Sequence, residues 1–109
     1  MSVWEWKGDL VDGEAMHRKH PSTFAIPTLR ERYNVKPGQQ VKLGFTRELA
    51  SGSIAERMWV TITRTTMEGA ERFFFGTLDN TPALFDMRAG DPVGPFRCAH
   101  ILDVGDLPS

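Results

Sequence analysis

One cysteine, Cys98, is all the sulfhydryl chemistry this chain has, and that scarcity sets its first limits. An internal disulfide is impossible, and a structural zinc site of the usual thiolate-rich kind lacks its ligands. A reducing compartment suits such a chain. Charge of one sign is also lacking: 13 basic residues face 14 acidic ones, so the net charge of −1 gives no global pull toward nucleic acid or an anionic membrane. There is no apolar run long enough to span a bilayer. The opening "MSVWEWKGDLVDGE" has no basic start followed by an apolar stretch, which predicts a cytoplasmic protein without a membrane partner. Walker loops and Gly-x-Gly-x-x-Gly turns are absent as well, so no nucleotide cofactor is implied.

What remains is ordinary globular material. At 109 residues the chain predicts a single domain over 1–109 with one core. The N-terminal third has helix signals. Asp12 is placed to cap a helix over Gly13 to Lys19 that Pro21 ends, and "IPTLRERYN" offers another turn or two with Leu29 and Tyr33 stacked. From Pro37 onward the period changes to two. "KPGQQVKLGF" is a Pro-Gly turn into a strand with Val41, Leu43 and Phe45 on one face and Lys42, Gly44 and Thr46 on the other.

"ERMWVTITRTT" repeats that alternation, with Met58, Val60 and Ile62 inward and Trp59, Thr61 and Thr63 opposite. "MEGAE" then turns into "RFFFGTL", which predicts a hairpin over residues 57–78. Of the three contiguous rings, Phe73 and Phe75 are expected in the core. Phe74 is expected on the opposite face, covered by the N-terminal tryptophans or a helix; left exposed beside Trp59, it marks the interaction surface instead. "ELASGSIAE" has the composition of a long mobile loop, and "PVGPF" suits an edge strand. "AHILDV" closes the chain as a last strand or a helical turn. The fold class is α+β: a strongly bent antiparallel sheet or small, partly open barrel of about five strands, with one or two short N-terminal helices.

The sequence carries little recognisable chemistry. His17 and His20 stand three apart, but Arg18 and Lys19 between them oppose a divalent ion and favour a solvated basic face. Cys98 and His100 would share a strand face, yet no acid or amide is placed to orient the histidine, and a small buried thiol accounts for Cys98. In "LDNTP", Asp79 and Asn80 suit a tight turn closed by Pro82. Neither a catalytic set, a metal site nor a cofactor is expected.

The runs "PSTFAIPTLRERYNVKPGQQVKLGF", "ERMWV", "GTLDNTP", "AGDPVGPF" and "HILDV", in that order, carry a likeness. Their Lys-Leu-x-Phe, Glu-x-Met-Trp-Val, Gly-x-Leu-x-Asn-x-Pro and late Gly-Asp elements stand at Lys42 to Phe45, Glu56 to Val60, Gly76 to Pro82, and Gly90 with Asp91. Over residues 21–104 the chain resembles a bacterial domain family of unknown function, the YegJ-like family numbered 2314 in the DUF series. The resemblance implies a small stand-alone bacterial protein and supplies no activity or cofactor.

The expected function is therefore a non-enzymatic protein-interaction domain, of immunity or regulatory type, that occludes a partner surface. Its candidate anchors are the aromatics Trp4, Trp6, Trp59 and Phe74. The alternative is a small-ligand or hydrolytic enzyme whose polar rim, Glu56, Asp79, Asn80 and His100, converges in a pocket. A third reading sets Phe73, Phe74 and Phe75 with Arg57, Arg64 and Arg72 as a platform for single-stranded nucleic acid. The balanced charge argues against it.

Overall fold

The computed structural model describes Trp6 and residues 8–105. Six strands form one antiparallel sheet: β1 (Asp9–Leu10), β2 (Gln40–Leu49), β3 (Gly52–Glu68), β4 (Glu71–Leu78), β5 (Pro92–Arg97) and β6 (Asp103–Val104). They follow the order β1-β2-β3-β4-β5, and β6 shares the outer edge of β2 with β1. The sheet curls into a half-barrel accompanied by two short helices, α1 (Gly13–Lys19) and α2 (Leu29–Tyr33).

Turn chemistry sets the strand ends. Lys36 to Gln39 forms a turn in which the Gln39 N–H donates to Lys36 O at 3.0 Å, with Pro37 at its second position and Gly38 at φ 94° at its third. "ELASGSIAE" is not a loop. Only Ala50 and Ser51 lie between β2 and β3, and Thr46, Arg47, Glu48 and Leu49 pair with Ala55, Ile54, Ser53 and Gly52. The β3–β4 hairpin closes on Gly69 and Ala70 between paired Glu68 and Glu71, and Gly69 takes the positive φ that the first position of such a two-residue turn needs.

The curl comes from β3. Its first part pairs with β2 and its last part with β4, and the register shifts between Ile62 and Arg64. One extra residue in an antiparallel strand bends it and reverses which parity faces inward. Val60 and Ile62 point inward before the shift, opposite Leu78 and Gly76; after it, Thr65 lies opposite Phe74, while Arg64 and Thr66 lie opposite Phe75 and Phe73.

The expectation for "RFFF" is corrected, since Phe74, Gly76 and Leu78 share the inward side of β4 throughout. Phe74 is fully buried at 0% exposure, stacked on Phe96 with ring centroids 5.7 Å apart, while Phe73 and Phe75 are half-buried on the outer face. Two residues had disguised the inner face. Gly76 is small because a Cβ there would lie within contact distance of Val60 and of the Thr61 carbonyl. Arg72 closes one end of the core, donating to Val35 O at 3.1 Å between the rings of Tyr33 and Phe74. Val41, Leu43, Phe45, Met58, Val60, Ile62, Phe74 and Phe96 make up most of the core.

The helices lie where their caps start them. Asp12 accepts from the Ala15 N–H at 2.9 Å, and Thr28 accepts from the Glu31 N–H at 3.2 Å. Arg32 joins them to the C-terminal part of the chain. At 4% exposure it donates to Pro27 O, to Glu14 Oε2 at 2.7 Å and to Cys98 O at 2.8 Å. Cys98–His100 is a single 3-10 turn, and β6 follows it, so both forms expected for "AHILDV" occur in succession. Val11 and Leu102 flank Gly44 on the outer face, where a Cβ would come within 2.8 Å of Val11 Cγ2. At β2 the sheet is thus covered on both sides.

Candidate functional site

Of the four aromatics offered as a surface, Trp4 lies outside the described residues. Phe74 is interior and is withdrawn, because it shares the side of β4 on which Leu78 and Gly76 face Val60 and Ile62 across the core. Trp6 is half-buried, meeting Phe45 edge-on at 5.7 Å and Phe85 at 4.8 Å, so it partly seals the core. Trp59 lies on the outer face opposite Lys42, whose Nζ sits 4.7 Å from its ring centroid. Trp6 and Trp59 therefore serve opposite faces of the same strands.

The polar rim does not assemble. The Glu56 carboxylate accepts from the backbone N–H groups of Ala83 and Leu84 at 2.9 and 2.8 Å, holding the β4–β5 connection against β3. Asp79 accepts from Gln40 Nε2 at 2.6 Å and Thr61 Oγ1 at 2.5 Å, so it binds neighbouring strands instead of bracing its own turn. Asn80 is exposed. His100 lies on the 3-10 turn, and its Nδ1 accepts from the Arg97 N–H at 3.1 Å. Three of the four groups are thus committed to three separate hydrogen-bond networks.

Cys98 and His100 do not form a nucleophile and its base. In a three-residue turn, side chains two apart do not share a face. Burial pushes the Cys98 thiol up, leaving it protonated at neutral pH. Burial also pushes the His100 imidazole down, with Arg97 adding to the effect, and the neutral ring is the form that accepts from Arg97. His17 donates from Nδ1 to Phe24 O at 2.7 Å, and among the described residues no group of three or more His, Cys, Asp or Glu is arranged to hold a metal ion.

The stacking platform divides likewise. Phe74 and Arg72 face inward. Phe73, Phe75 and Arg64 face outward, with the Arg64 guanidinium 3.8 Å from the Phe75 centroid. Arg57 lies 5.2 Å from the Phe24 ring. These cations rest on rings that the polypeptide itself supplies.

Two features have no clear sequence signal. In the β4–β5 connection, Leu84 is 55% exposed although both its own N–H and that of Ala83 are held by Glu56. It is next in sequence to buried Phe85, whose ring meets half-buried Trp6. Elsewhere, an open cleft of about 400 Å³ lies over the outer face of β2 and β3. Its floor at Lys42 was legible from strand alternation. Its walls come from segments distant in sequence. None of Glu56, Asp79, Asn80 and His100 lines it. No helix among the described residues is long and apolar enough to cross a membrane. Comparison with protein-family models, curated proteins and solved structures returned no match.

Proposed function

We propose that the chain is a small, non-enzymatic bacterial interaction domain of immunity or regulatory type, acting in the cytoplasm by occluding a partner surface. The observation that carries this reading is exposed Leu84, next in sequence to Phe85, whose ring meets half-buried Trp6. An apolar side chain more than half exposed, on backbone fixed by two hydrogen bonds to one carboxylate, loses little further freedom when a partner covers it. Trp6, half-buried against neighbouring Phe85, is of the residue type in which binding energy concentrates. The engagement of Glu56, Asp79 and His100 in separate networks supports the non-enzymatic side of the reading. Glu56, Gly76, Gly90 and Asp91, from the motifs on which the resemblance was drawn, have evident structural duties. Asp91 accepts from the Arg88 N–H, and Gly90 supplies the positive φ of that turn.

Affinity capture from the cells that make the protein tests the proposal. Wild type retains a stoichiometric partner. Leu84→Asp weakens retention by about tenfold or more without moving the thermal midpoint, and Leu29→Asp, at a site 58% exposed on α2, retains it. Absence of a partner, or a partner indifferent to Leu84→Asp, contradicts the reading.

A further inference from the structure

The cleft over the outer face of β2 and β3 is built from segments far apart in the chain. Lys42 comes from β2 and Arg57 from β3. Ile26 and Pro27 come from the extended segment before α2, Glu31 from α2 itself, and Leu102 and Asp103 from the segment entering β6. Its volume of about 400 Å³ falls within the range of small-molecule sites.

The charges in it are placed but not joined. Asp103 lies directly opposite Lys42 in the β2–β6 register, where opposite charges ordinarily pair. Instead, Lys42 Nζ lies over the Trp59 ring, and an Asp103 oxygen accepts from the Val104 N–H at 2.8 Å. Arg57 rests on Phe24, and Glu31 accepts from Thr28 Oγ1 at 3.0 Å. Among the described residues, neither cation forms an ion pair. A cation on an aromatic face is held in position but keeps its full charge, and each carboxylate has lone pairs to spare. The cleft thus offers two positively charged donors and two negatively charged acceptors, with Ile26, Pro27 and Leu102 as apolar wall.

We propose that this cleft binds a small zwitterion with α-amino-acid chemistry, a free amino acid or a dipeptide with an apolar side chain. The ligand carboxylate meets Lys42 and Arg57, its ammonium meets Glu31 and Asp103, and its side chain lies on Ile26 and Leu102. The complementarity is dipolar. A simple anion satisfies the floor and leaves the acids repelling it, and a simple amine does the reverse.

Titration of the isotope-labelled protein, followed by backbone amide resonances, tests this with leucine and leucyl-leucine as probes. At least one of them shifts Ile26, Lys42, Arg57 and Leu102 saturably, and the same dissociation constant comes from all four. For leucine the matched controls are 4-methylpentanoate, which lacks the ammonium, and 3-methylbutylamine, which lacks the carboxylate; for the dipeptide they are its amino-acetylated and carboxyl-amidated forms. Each control binds about tenfold or more weakly, because each leaves charged groups of the cleft unanswered. Lys42→Met, which retains an aliphatic stem over Trp59, and Asp103→Asn weaken binding by a similar factor with the remaining spectrum unchanged. The proposal is overturned if neither probe gives a saturable shift in the tens-of-millimolar range. It is equally overturned if the controls bind as well as the zwitterions, if the shifts fall outside the cleft, or if both variants bind as wild type.

Discussion

Phe74 occupies the point on which the reading of the sheet turns. It is fully buried against Phe96, whereas Phe73, on the other side of the strand, is half-buried opposite Thr66. Truncating a buried phenylalanine removes its transfer free energy and leaves a cavity, so Phe74→Ala is expected to cost about 3–5 kcal/mol and Phe73→Ala less than about 2 kcal/mol. Urea unfolding of the two variants checks the order, and equal losses would place the rings differently. In sequence the two faces of "RFFFGTL" compete on unequal terms. Two phenylalanines stand against one, and Phe74 keeps company with Arg72 and Gly76. Both companions owe their identity to tertiary neighbours, Arg72 to Tyr33 and Val35 and Gly76 to Val60 and Thr61. That information is long-range, and strand alternation does not carry it.

Among the elements, those bounded by local chemistry were legible. Helix α1 runs over Gly13–Lys19 as Asp12 and Pro21 indicate, and the turns at Pro37–Gly38 and Gly69 lie where glycine requires them. The β2–β3 connection was not legible. Its small polar residues are those of a loop and equally those of a hairpin tip with both faces in solvent, since neither faces a core. Glu56 has a comparable ambiguity: a carboxylate on a strand suits a catalytic rim or a clamp, and only the arrival of Ala83 and Leu84 decides for the clamp. Because hydrogen bonds to a charged group are stronger than neutral ones, Glu56→Ala is expected to speed amide exchange at Ala83 and Leu84 by about tenfold or more. Val60 and Ile62 should keep their protection. Unchanged exchange at residues 83 and 84 would remove the clamp from the account.

For the molecule as a whole, the α+β class and the curled antiparallel sheet followed from regular turn punctuation after Pro37, and they are what the structure has. The coverings of that sheet did not. Val11 and Leu102 over Gly44, Phe24 over Arg57, and Arg32 joining Glu14 to Cys98 unite residues far apart in the chain. From those coverings comes the cleft, while Leu84 is presented by the clamp that Glu56 makes on the β4–β5 connection. Glu56, Asp79 and His100, which looked most like chemistry, hold the fold together, and in our proposal recognition falls to the surface at Leu84. A photo-reactive benzophenone side chain placed at position 84, and separately at exposed Arg88 in the same connection, tests that claim most directly in the cells that make the protein. One discrete cross-linked adduct from position 84, and little or none from position 88, is the predicted result. No adduct from 84, or equal adducts from both, would contradict it.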